Sequence, residues 1–510
     1  MLGADLPLFS GRREHRCNNG KHPPANMQVI IRLDRLCGAP IIKNYLVVLV
    51  YNEIFLCYIY HSLFLGGLNM KETIIQFGTG NFLRGFFCDF INTLNEKGLY
   101  DGKIIVVQPT KGGKTDIINS QNGEYNLYLR GIQNGEEVCE HKVIKSVSRG
   151  IDPYTNYDEY LKLAENPDIR FIVSNTTESG IEFNENCDFY DKPALSFPGK
   201  LTQLLYHRYV NSLAGFIILP CELIDNNGDT LKDCVLKYAE LWNLGKGFIE
   251  WINNENSFCN TLVDRIVTGY PKDEAERINE EIGYEDKLLN TAELFHLWVI
   301  EGDFENELPL KKADFNIVWT DNVKPYKKMK VRILNGAHTS LVFPSLLCGV
   351  ETVGESINDN QLKEYLDICL SKYILPVLGD NEENRNFAKA VLERFANPYI
   401  RHSWKAISLN SVSKYSVRVL PTVIEYIENE KTVPKPLAFS LACLVEYYKT
   451  QTPQDNENSV SYIKNNDIMS ILSNTLLWGQ DLSELCDVVN ESLDKIHNVG
   501  IREAIEWAIM

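Results

Sequence analysis

The sequence has no excess of positive charge and no cysteine framework, and both absences restrict its function. Its 510 residues include 51 Lys and Arg but 68 Asp and Glu, which gives a net charge of −17. Nucleic acids and anionic membranes attract clustered Lys and Arg, so we expect neither as a partner. The 13 cysteines include no Cys-x-x-Cys pair, which favours reduced thiols and a cytoplasmic protein.

Long apolar runs, internal repeats and low-complexity tracts are also absent. A membrane-spanning helix needs about 20 consecutive apolar residues, and the most apolar stretch, residues 45–68, is interrupted by Asn52, Glu53 and His61. An aromatic content of 11% is too high for a solvated coil. At roughly 100–200 residues per domain, the length predicts two or three globular domains.

The first 69 residues differ from the rest of the chain. They carry seven Lys or Arg and four Asp or Glu, whereas residues 70–510 carry a net charge of −20. Their apolar stretch begins too far from Met1 for a signal peptide. At Met70 the sequence runs directly into a predicted strand, MKETIIQF. We therefore interpret residues 1–69 as an extension foreign to the folded protein, with the functional start at Met70.

Residues 70 to about 285 alternate between β-rich runs and helical patterns. Strands are predicted at 73–77, 103–108, 143–147, 169–174 and 214–220, and helices at 82–95, 157–165 and 200–211. This alternation predicts an α/β Rossmann-like domain with a mostly parallel sheet.

Helical patterns replace the strand signals after about residue 285. They cover 293–299, 330–344, 360–378, 382–395, 437–449 and 482–507. We therefore expect a Rossmann-like domain over 70–320 and a mainly α-helical domain over 321–510.

The first predicted strand ends in a glycine turn, Gly78-Thr79-Gly80, which opens a helix. Backbone N–H groups at such a turn can approach a pyrophosphate closely. The third glycine of the usual dinucleotide fingerprint is replaced by Leu83, and a plain strand-to-helix turn is the alternative. Its place at the first strand of a βαβ series favours a dinucleotide site.

The end of the second predicted strand bears on the choice of cofactor. Proteins that bind NAD usually carry an acidic residue there, and this chain has Gln108. Lys111 and Lys114 follow, and a lysine suits the 2′-phosphate of NADP. From these residues alone the choice between NAD and NADP stays open.

A second cluster contains Lys330, Asn335 and His338. On a regular helix they fall at about 0°, 140° and 80°, so they share one side. A lysine in a dry site near other cations has a lowered pKa, as a general acid/base requires. Asn and His can hydrogen-bond a carbonyl oxygen on which charge develops. The alternative is a surface lysine beside a buried His–Asn pair.

The spacing Lys330-x4-Asn335-x2-His338 resembles the signature of the mannitol dehydrogenase family, the polyol-specific long-chain dehydrogenases. Other strings agree in order and cover most of residues 70–510: GTGNFLRGF from Gly78, SNTTESGI from Ser174, NTLVDRIVTGYP from Asn260, FHLWVIEG from Phe295, ERFANPYIRHSW from Glu393 and SLNSVSKYSVRVLP from Ser408.

The resemblance implies a Rossmann-like domain, a helical domain and a site in the cleft between them, with NAD and no metal. Within the family, PCELIDNNGD from Pro220 and the VTGYP, RHSW and LNSVSK strings are most similar to members that interconvert D-tagaturonate and D-altronate in hexuronate breakdown. Reduction of fructuronate and a mannitol-type polyol 2-dehydrogenase activity are the alternatives. A non-catalytic sugar sensor or a methyltransferase has no use for Lys330. The number of subunits stays open.

The resemblance also implies roles for individual residues. Lys330 would be the general acid/base, and Asn335 and His338 would hold the reacting oxygen. The cofactor-binding set would be Gly78, Gly80, Phe82, Arg84, Asn175, Thr176 and Asp264. A uronate carboxylate needs a charge-assisted partner, for which Arg401, His402 and Lys414 are the candidates, each alternatively a solvated surface group.

Two positions depart from the family pattern. Leu223 stands where many members have an Asn that holds the reacting oxygen, so the pocket must be completed differently. Lys327 stands where many have Glu, and a cation there suits an acidic sugar.

Overall fold

The computed structural model describes residues 70–510 and two short antiparallel strands, Val29–Ile30 and Val48–Leu49. The interpretation of residues 1–69 as a foreign extension otherwise lies outside the described residues and stays a prediction. Residues Met70–Met510 form one unit by their internal contacts. No helix within residues 70–510 is long and apolar enough to cross a bilayer.

Most strands lie before residue 320, and helices make up almost all of the remainder. The strands are β1 (Glu72–Phe77), β2 (Lys103–Val107), β3 (Tyr125–Gln133), β4 (Glu136–Ile144), β5 (Val147–Ile151), β6 (Phe171–Ser174), β7 (Ile217–Pro220), β8 (Ser257–Phe258), β9 (Thr261–Asp264), β10 (Val267–Gly269), β11 (Asn290–Glu293), β12 (Leu297–Glu301) and β13 (Ile317–Thr320). The helices before residue 320 are α1 (Asn81–Arg84), α2 (Phe87–Glu96), α3 (Thr115–Ser120), α4 (Tyr157–Lys162), α5 (Phe197–Val210), α6 (Asn227–Leu241), α7 (Lys246–Glu255) and α8 (Ala275–Ile282).

A six-stranded parallel sheet, in the order β8-β7-β6-β1-β2-β5, forms the centre of the first half. Its four central strands are short apolar runs, rich in Ile and Val and buried on both faces. The order in which strands are added to the sheet reverses between β1 and β6, and ligands bind beside such a switch point in open α/β sheets. The predicted Rossmann-like α/β class is confirmed.

A long β-hairpin, β3–β4, was not predicted, and the strand expected at 143–147 is wrong. Ile144 ends β4 and Val147 begins β5, so the predicted strand spans a junction. The hairpin turn, Asn134-Gly135, has positive φ at both residues (54° and 84°). Asn-Gly is the strongest short-range signal for such a turn, so the sequence did contain this information.

The helix expected at 293–299 is also wrong, because the strand signals continue beyond residue 285. Residues 290–301 form β11 and β12, which pair with β3, β10, β9 and β13 in two smaller sheets. A short apolar run such as FHLWVI cannot be assigned to helix or strand by periodicity alone. Pairing with distant strands decides it here.

The second half is helical, as predicted, around one large apolar core. Gly500 (φ 91°) divides the single helix expected at 482–507. Its helices are α9 (Lys324–Lys330), α10 (Gly336–Leu347), α11 (Val353–Asn358), α12 (Asn360–Ile368), α13 (Leu375–Leu378), α14 (Glu382–Phe395), α15 (Trp404–Ile407), α16 (Ser411–Arg418), α17 (Leu420–Glu430), α18 (Lys435–Thr450), α19 (Glu457–Asn465), α20 (Ile468–Leu472), α21 (Thr475–Trp478), α22 (Cys486–Val499) and α23 (Ile501–Ile509), with π-helical turns at Val331–Asn335 and Cys369–Ile374.

Candidate active site

A cavity of about 560 Å³ lies where the end of β9 faces the helices of the second half. Its walls contain residues from both halves of the chain, which suits a site that holds one reactant on the sheet and another on the helices. Among its lining residues are eight that the sequence singled out: Phe82, Asn175, Asp264, Lys330, Asn335, His338, His402 and Lys414.

Lys330 and Asn335 lie at the two ends of a π-helical turn, Val331–Asn335, between α9 and α10. The prediction of a regular helix is therefore wrong at this point. A π turn joins residues five apart by hydrogen bonds, and such turns are frequent at functional sites. The turn places Asn335 about one turn from Lys330, on the side that faces the cavity.

The Lys330 ammonium group is held against the end of β9. Its Nζ donates a hydrogen bond to the backbone oxygen of Val263 (2.8 Å) and lies 3.6 Å from Oδ1 of Asp264. Only 16% of the side chain is exposed. Burial lowers the pKa of Lys330 below its ordinary value, and the Arg394 charge adds to this, although Asp264 opposes it. A lysine with these properties can exchange a proton with a ligand.

His338 is a neutral group in the wall of the same cavity. Its ring stacks on Phe395 with 4.1 Å between centroids and lies 5.1 Å from the ring of His402. Burial lowers the pKa of His338 well below its ordinary value, and the nearby basic groups, His402 first, add to the effect. Its Nε2 atom has no hydrogen-bond partner among the described residues. The imidazole therefore keeps one nitrogen for a ligand.

Arg394, which sequence reasoning did not single out, connects the two halves of the site. It donates four hydrogen bonds of 2.9–3.0 Å, two to Asp264 at the end of β9 and two to Glu293 at the end of β11. Its side chain is only 4% exposed. Although burial raises the pKa of Asp264, Arg394 and Lys330 outweigh it and hold the pKa below its ordinary value. Asp264 is therefore a carboxylate, fixed between two cations.

The sequence of α14 explains the position of Arg394. Asn381 caps the helix by accepting from the N–H of Asn384. Phe387 and Val391 bury one face in the helical core, and Arg394 continues that face toward the sheets. The guanidinium then lies 4.3 Å from the ring centroid of Phe295. Helical spacing shows the buried face but not the distant carboxylates that make it suitable for an arginine.

The glycine turn lies at the switch point, beside the cavity. Gly78 has φ 131°, and a Cβ there would lie 2.8 Å from the backbone oxygen of Asn175. Gly80 has φ −69°, and no atom lies within 4 Å of its ideal Cβ position. Gly78 therefore permits the close approach of two strand ends, whereas Gly80 leaves free space beside the turn.

Asn175 and Thr176 are fixed by the loop after β7. The side chain of Asn175 donates to the backbone oxygen of Cys221 (2.7 Å). The backbone N–H and the hydroxyl of Thr176 both donate to Oε1 of Glu222 (2.9 Å each). Thr176 thus positions the loop, while Asn175 lines the cavity. Leu223, which follows Glu222, is 61% exposed and also lines the cavity, where it offers no polar group.

Three basic residues that the sequence suggested for cofactor or substrate binding lie outside the cavity wall. The Arg84 guanidinium is buried and donates to Asn81 (2.6 Å) and to the backbone oxygen of Leu288, which explains it as a structural group. The Arg401 side chain is 81% exposed and lies 3.7 Å from Glu351. Lys327 forms an ion pair with Asp225 at the surface.

The groups after β2 are arranged around the glycine turn. The backbone N–H of Lys114 donates to the hydroxyl of Thr79 (3.3 Å), and its ammonium lies 3.5 Å from Oδ1 of Asn81. Gln108 is buried and accepts from the hydroxyl of Thr115 (3.0 Å). Lys114 therefore lies at the turn itself.

Within the described part of the chain, no three His, Cys, Asp or Glu side chains are grouped to hold a metal ion. The expectation of a metal-free site stays a prediction.

Comparison with known families agrees with this geometry. The model of the mannitol dehydrogenase Rossmann domain matches residues 72–312, and the model of the mannitol dehydrogenase C-terminal domain matches residues 322–499. The chain belongs to the mannitol dehydrogenase family. The resemblance inferred from the Lys330, Asn335 and His338 spacing is thereby confirmed.

Individual relatives in the mannitol dehydrogenase family are similar over most of their length. Altronate oxidoreductase of Yersinia enterocolitica is 42% identical over 469 residues, which covers 86% of this chain and 97% of the relative. That of Bacillus subtilis is 42% identical over 455 residues, or 85% and 95%.

Two solved structures share the fold. A substrate-free D-sorbitol dehydrogenase has a TM-score of 0.77 at 25% identity, covering 86% of this chain and 95% of that one. Pseudomonas fluorescens mannitol 2-dehydrogenase, solved with NAD and D-mannitol, has a TM-score of 0.65 at 21% identity, covering 86% and 94%.

The two glycines of the turn should respond differently to alanine. We expect Gly78→Ala to lower the free energy of unfolding by about 1–3 kcal/mol, because its φ and the contact with Asn175 exclude a Cβ. Gly80→Ala should leave stability unchanged but raise the Kd for NADH about tenfold or more, because the methyl group occupies free space beside the turn. Urea unfolding and NADH fluorescence titration measure the two effects. Normal NADH binding by Gly80→Ala would show that the turn does not hold the dinucleotide.

Removal of Arg394 should strongly destabilise the protein. We expect Arg394→Met to lower the free energy of unfolding by about 3–5 kcal/mol, because two buried carboxylates lose their partner. The matched control is Arg385→Gln on the same helix, which removes an exposed ion pair with Asp380 and should leave the urea midpoint unchanged. Equal midpoints for the two variants would contradict the role given to Arg394.

Proposed function

We propose that the protein catalyses the reversible reduction of D-tagaturonate to D-altronate with NADH. The observation that carries the proposal is Lys330, a nearly buried lysine with a lowered pKa that faces a cavity beside a dinucleotide-type glycine turn. The substrate is supported by the altronate oxidoreductases that are 42% identical over 95–97% of their length.

The residues around the turn fit a nicotinamide dinucleotide. Gly78 and Gly80 would hold the pyrophosphate, for which the space beside Gly80 is free. Phe82 and Asn175 extend the same surface into the cavity and would contact the nicotinamide end. When bound, the reduced nicotinamide supplies a hydride to the substrate carbonyl carbon.

We infer that Lys114 is not a partner for the 2′-phosphate of NADP. Its ammonium lies at the glycine turn, 3.5 Å from Asn81. In a Rossmann fold the 2′-phosphate of NADP would lie farther out, past the end of the second strand. Lys114 is thus placed for the pyrophosphate instead.

The proton chemistry belongs to Lys330. As hydride reaches the carbonyl carbon, its C=O π electrons move to the oxygen, and the Lys330 ammonium donates a proton there to give the hydroxyl of altronate. In the reverse direction the neutral amine takes that proton back. Val263 and Asp264 hold the amine in place, which spares it the cost of reorientation during the reaction.

Asn335 and His338 would bind the same oxygen. Both line the cavity wall, Asn335 about one turn and His338 about two turns after Lys330. The Nε2 atom of His338 has no other partner among the described residues. A neutral imidazole and an amide can stabilise the developing negative charge by hydrogen bonds. They would replace the asparagine that many family members have at the position of Leu223. His402 and Lys414, also in the wall, are the predicted substrate-binding groups that remain close enough to act.

Substrate comparison tests the proposal directly. We expect NADH oxidation to be fastest with D-tagaturonate, slower with D-fructuronate and slowest with D-fructose. Lys330→Ala should lower kcat by about 10²–10⁴-fold, the usual contribution of a general acid/base, with an unchanged Kd for NADH. The matched control, Lys328→Ala, removes an exposed lysine of the same helix that pairs with Glu425, and should retain activity. A wild-type preference for fructuronate or fructose, or full activity of Lys330→Ala, would refute the assignment.

The rates of reduction and of oxidation should change in opposite directions as pH rises. Reduction needs the Lys330 ammonium, so its rate should fall as pH rises through the lowered pKa of Lys330, whereas oxidation should rise over the same range. Asp264 raises that pKa. Asp264→Asn should therefore move the pH–rate profiles of both reactions to lower pH. Asp225→Asn, at an exposed ion pair, should not move them. Unchanged pH–rate profiles in Asp264→Asn would exclude Lys330 as the titrating group.

A further inference from the structure

Two cations on helix α16 face the cavity without a carboxylate partner. Lys414 and Arg418 lie four residues apart, both line the cavity, and both are half-buried. The Lys414 ammonium donates to the backbone oxygen of Ile407 (2.8 Å). The Arg418 side chain makes no hydrogen bond and no ion pair with any residue that the structure describes. The nearby carboxylate of Asp455 is engaged by the N–H of Val412 and the hydroxyl of Tyr448.

The other cations in the cavity wall are compensated. Arg394 is bonded to Asp264 and Glu293, Arg265 is bonded to Asp89, and Lys330 lies beside Asp264. In a protein with a net charge of −17, carboxylates are abundant, yet none of the described residues places one on Arg418. The cavity wall therefore keeps positive charge without a carboxylate partner at Lys414 and Arg418.

The arrangement on α16 is costly as it stands. Like charges four residues apart on a helix repel each other, and Arg418 lowers the pKa of Lys414 after burial does. Burial lowers the pKa of Arg418 as well. An anion between the two groups would remove both the repulsion and the cost of burial.

The end of helix α16 lies close to the residue that follows the π turn. The backbone oxygen of Arg418 lies 3.3 Å from the ideal Cβ position of Gly336, the residue after Asn335. A side chain at position 336 would therefore press on α16. Arg418 and Lys330 line the same cavity, so one sugar could contact both.

We propose that Arg418, with Lys414 beside it, binds the carboxylate of the sugar acid and so selects a uronate over a neutral ketose. The inference rests on the proposed function. A guanidinium can hold a carboxylate by two parallel charge-assisted hydrogen bonds. Arg418 replaces Arg401, which the sequence suggested but which lies outside the cavity wall.

The test compares D-tagaturonate with D-tagatose, the ketose that carries a hydroxymethyl group in place of the carboxylate. We expect Arg418→Gln to lower kcat/KM for tagaturonate by about 10–100-fold, mainly through KM, because a charged hydrogen-bonded pair is lost. The value for D-tagatose and the Kd for NADH should not change. Arg418→Lys should retain part of the preference. Lys405→Gln, an exposed lysine of the preceding helix, controls for general electrostatics and should behave as wild type.

The outcomes separate the two proposals. If wild type reduces D-tagatose as well as D-tagaturonate, the proposed function fails. If wild type prefers tagaturonate and Arg418→Gln keeps that preference, the function stands and the inference fails. An equal loss with both sugars would also overturn the inference, because it would give Arg418 a structural role. A preference for D-tagatose 6-phosphate that disappears in Arg418→Gln would assign the pair to phosphate and overturn the carboxylate.

Discussion

The site depends on one buried charge cluster, in which Arg394 joins Asp264 and Glu293. Two carboxylates buried side by side are unstable without a cation between them. The arginine comes from a helix and the carboxylates from the ends of two strands, so the cluster forms only when the two halves are correctly packed. Asp264 also faces Lys330. The protonation chemistry is therefore coupled to the tertiary structure.

Charge is distributed unevenly in this acidic protein. Burial and neighbouring cations keep His338 neutral and lower the pKa of Lys330, while Asp264 keeps its charge. Different environments thus give three titratable groups different charge states within one small cavity, which is how enzymes separate acid, base and binding roles at neutral pH. The excess of cations at α16 adds attraction for an anionic ligand.

Local information predicted the fold better than it predicted the contacts of the site. The Ile- and Val-rich runs marked β1 and β2, and the spacing of Lys330, Asn335 and His338 identified the family. Glu293 was placed in a helix because its strand depends on distant pairing. The pairing of Arg394 with Asp264 spans 130 residues, and no pattern of neighbours reports it. The π turn likewise follows from packing, since helical periodicity cannot distinguish it from a regular helix.

The ion contacts between the halves of the chain differ greatly in strength. Arg394–Asp264 is buried, and separation of such a pair costs about 3–5 kcal/mol. Lys327–Asp225 lies at the surface, where a pair contributes about 0–1 kcal/mol. The buried pair therefore resists separation of the halves more strongly than the surface pair does. Loss of Arg394 would therefore weaken the packing of the two halves far more than loss of Lys327 would.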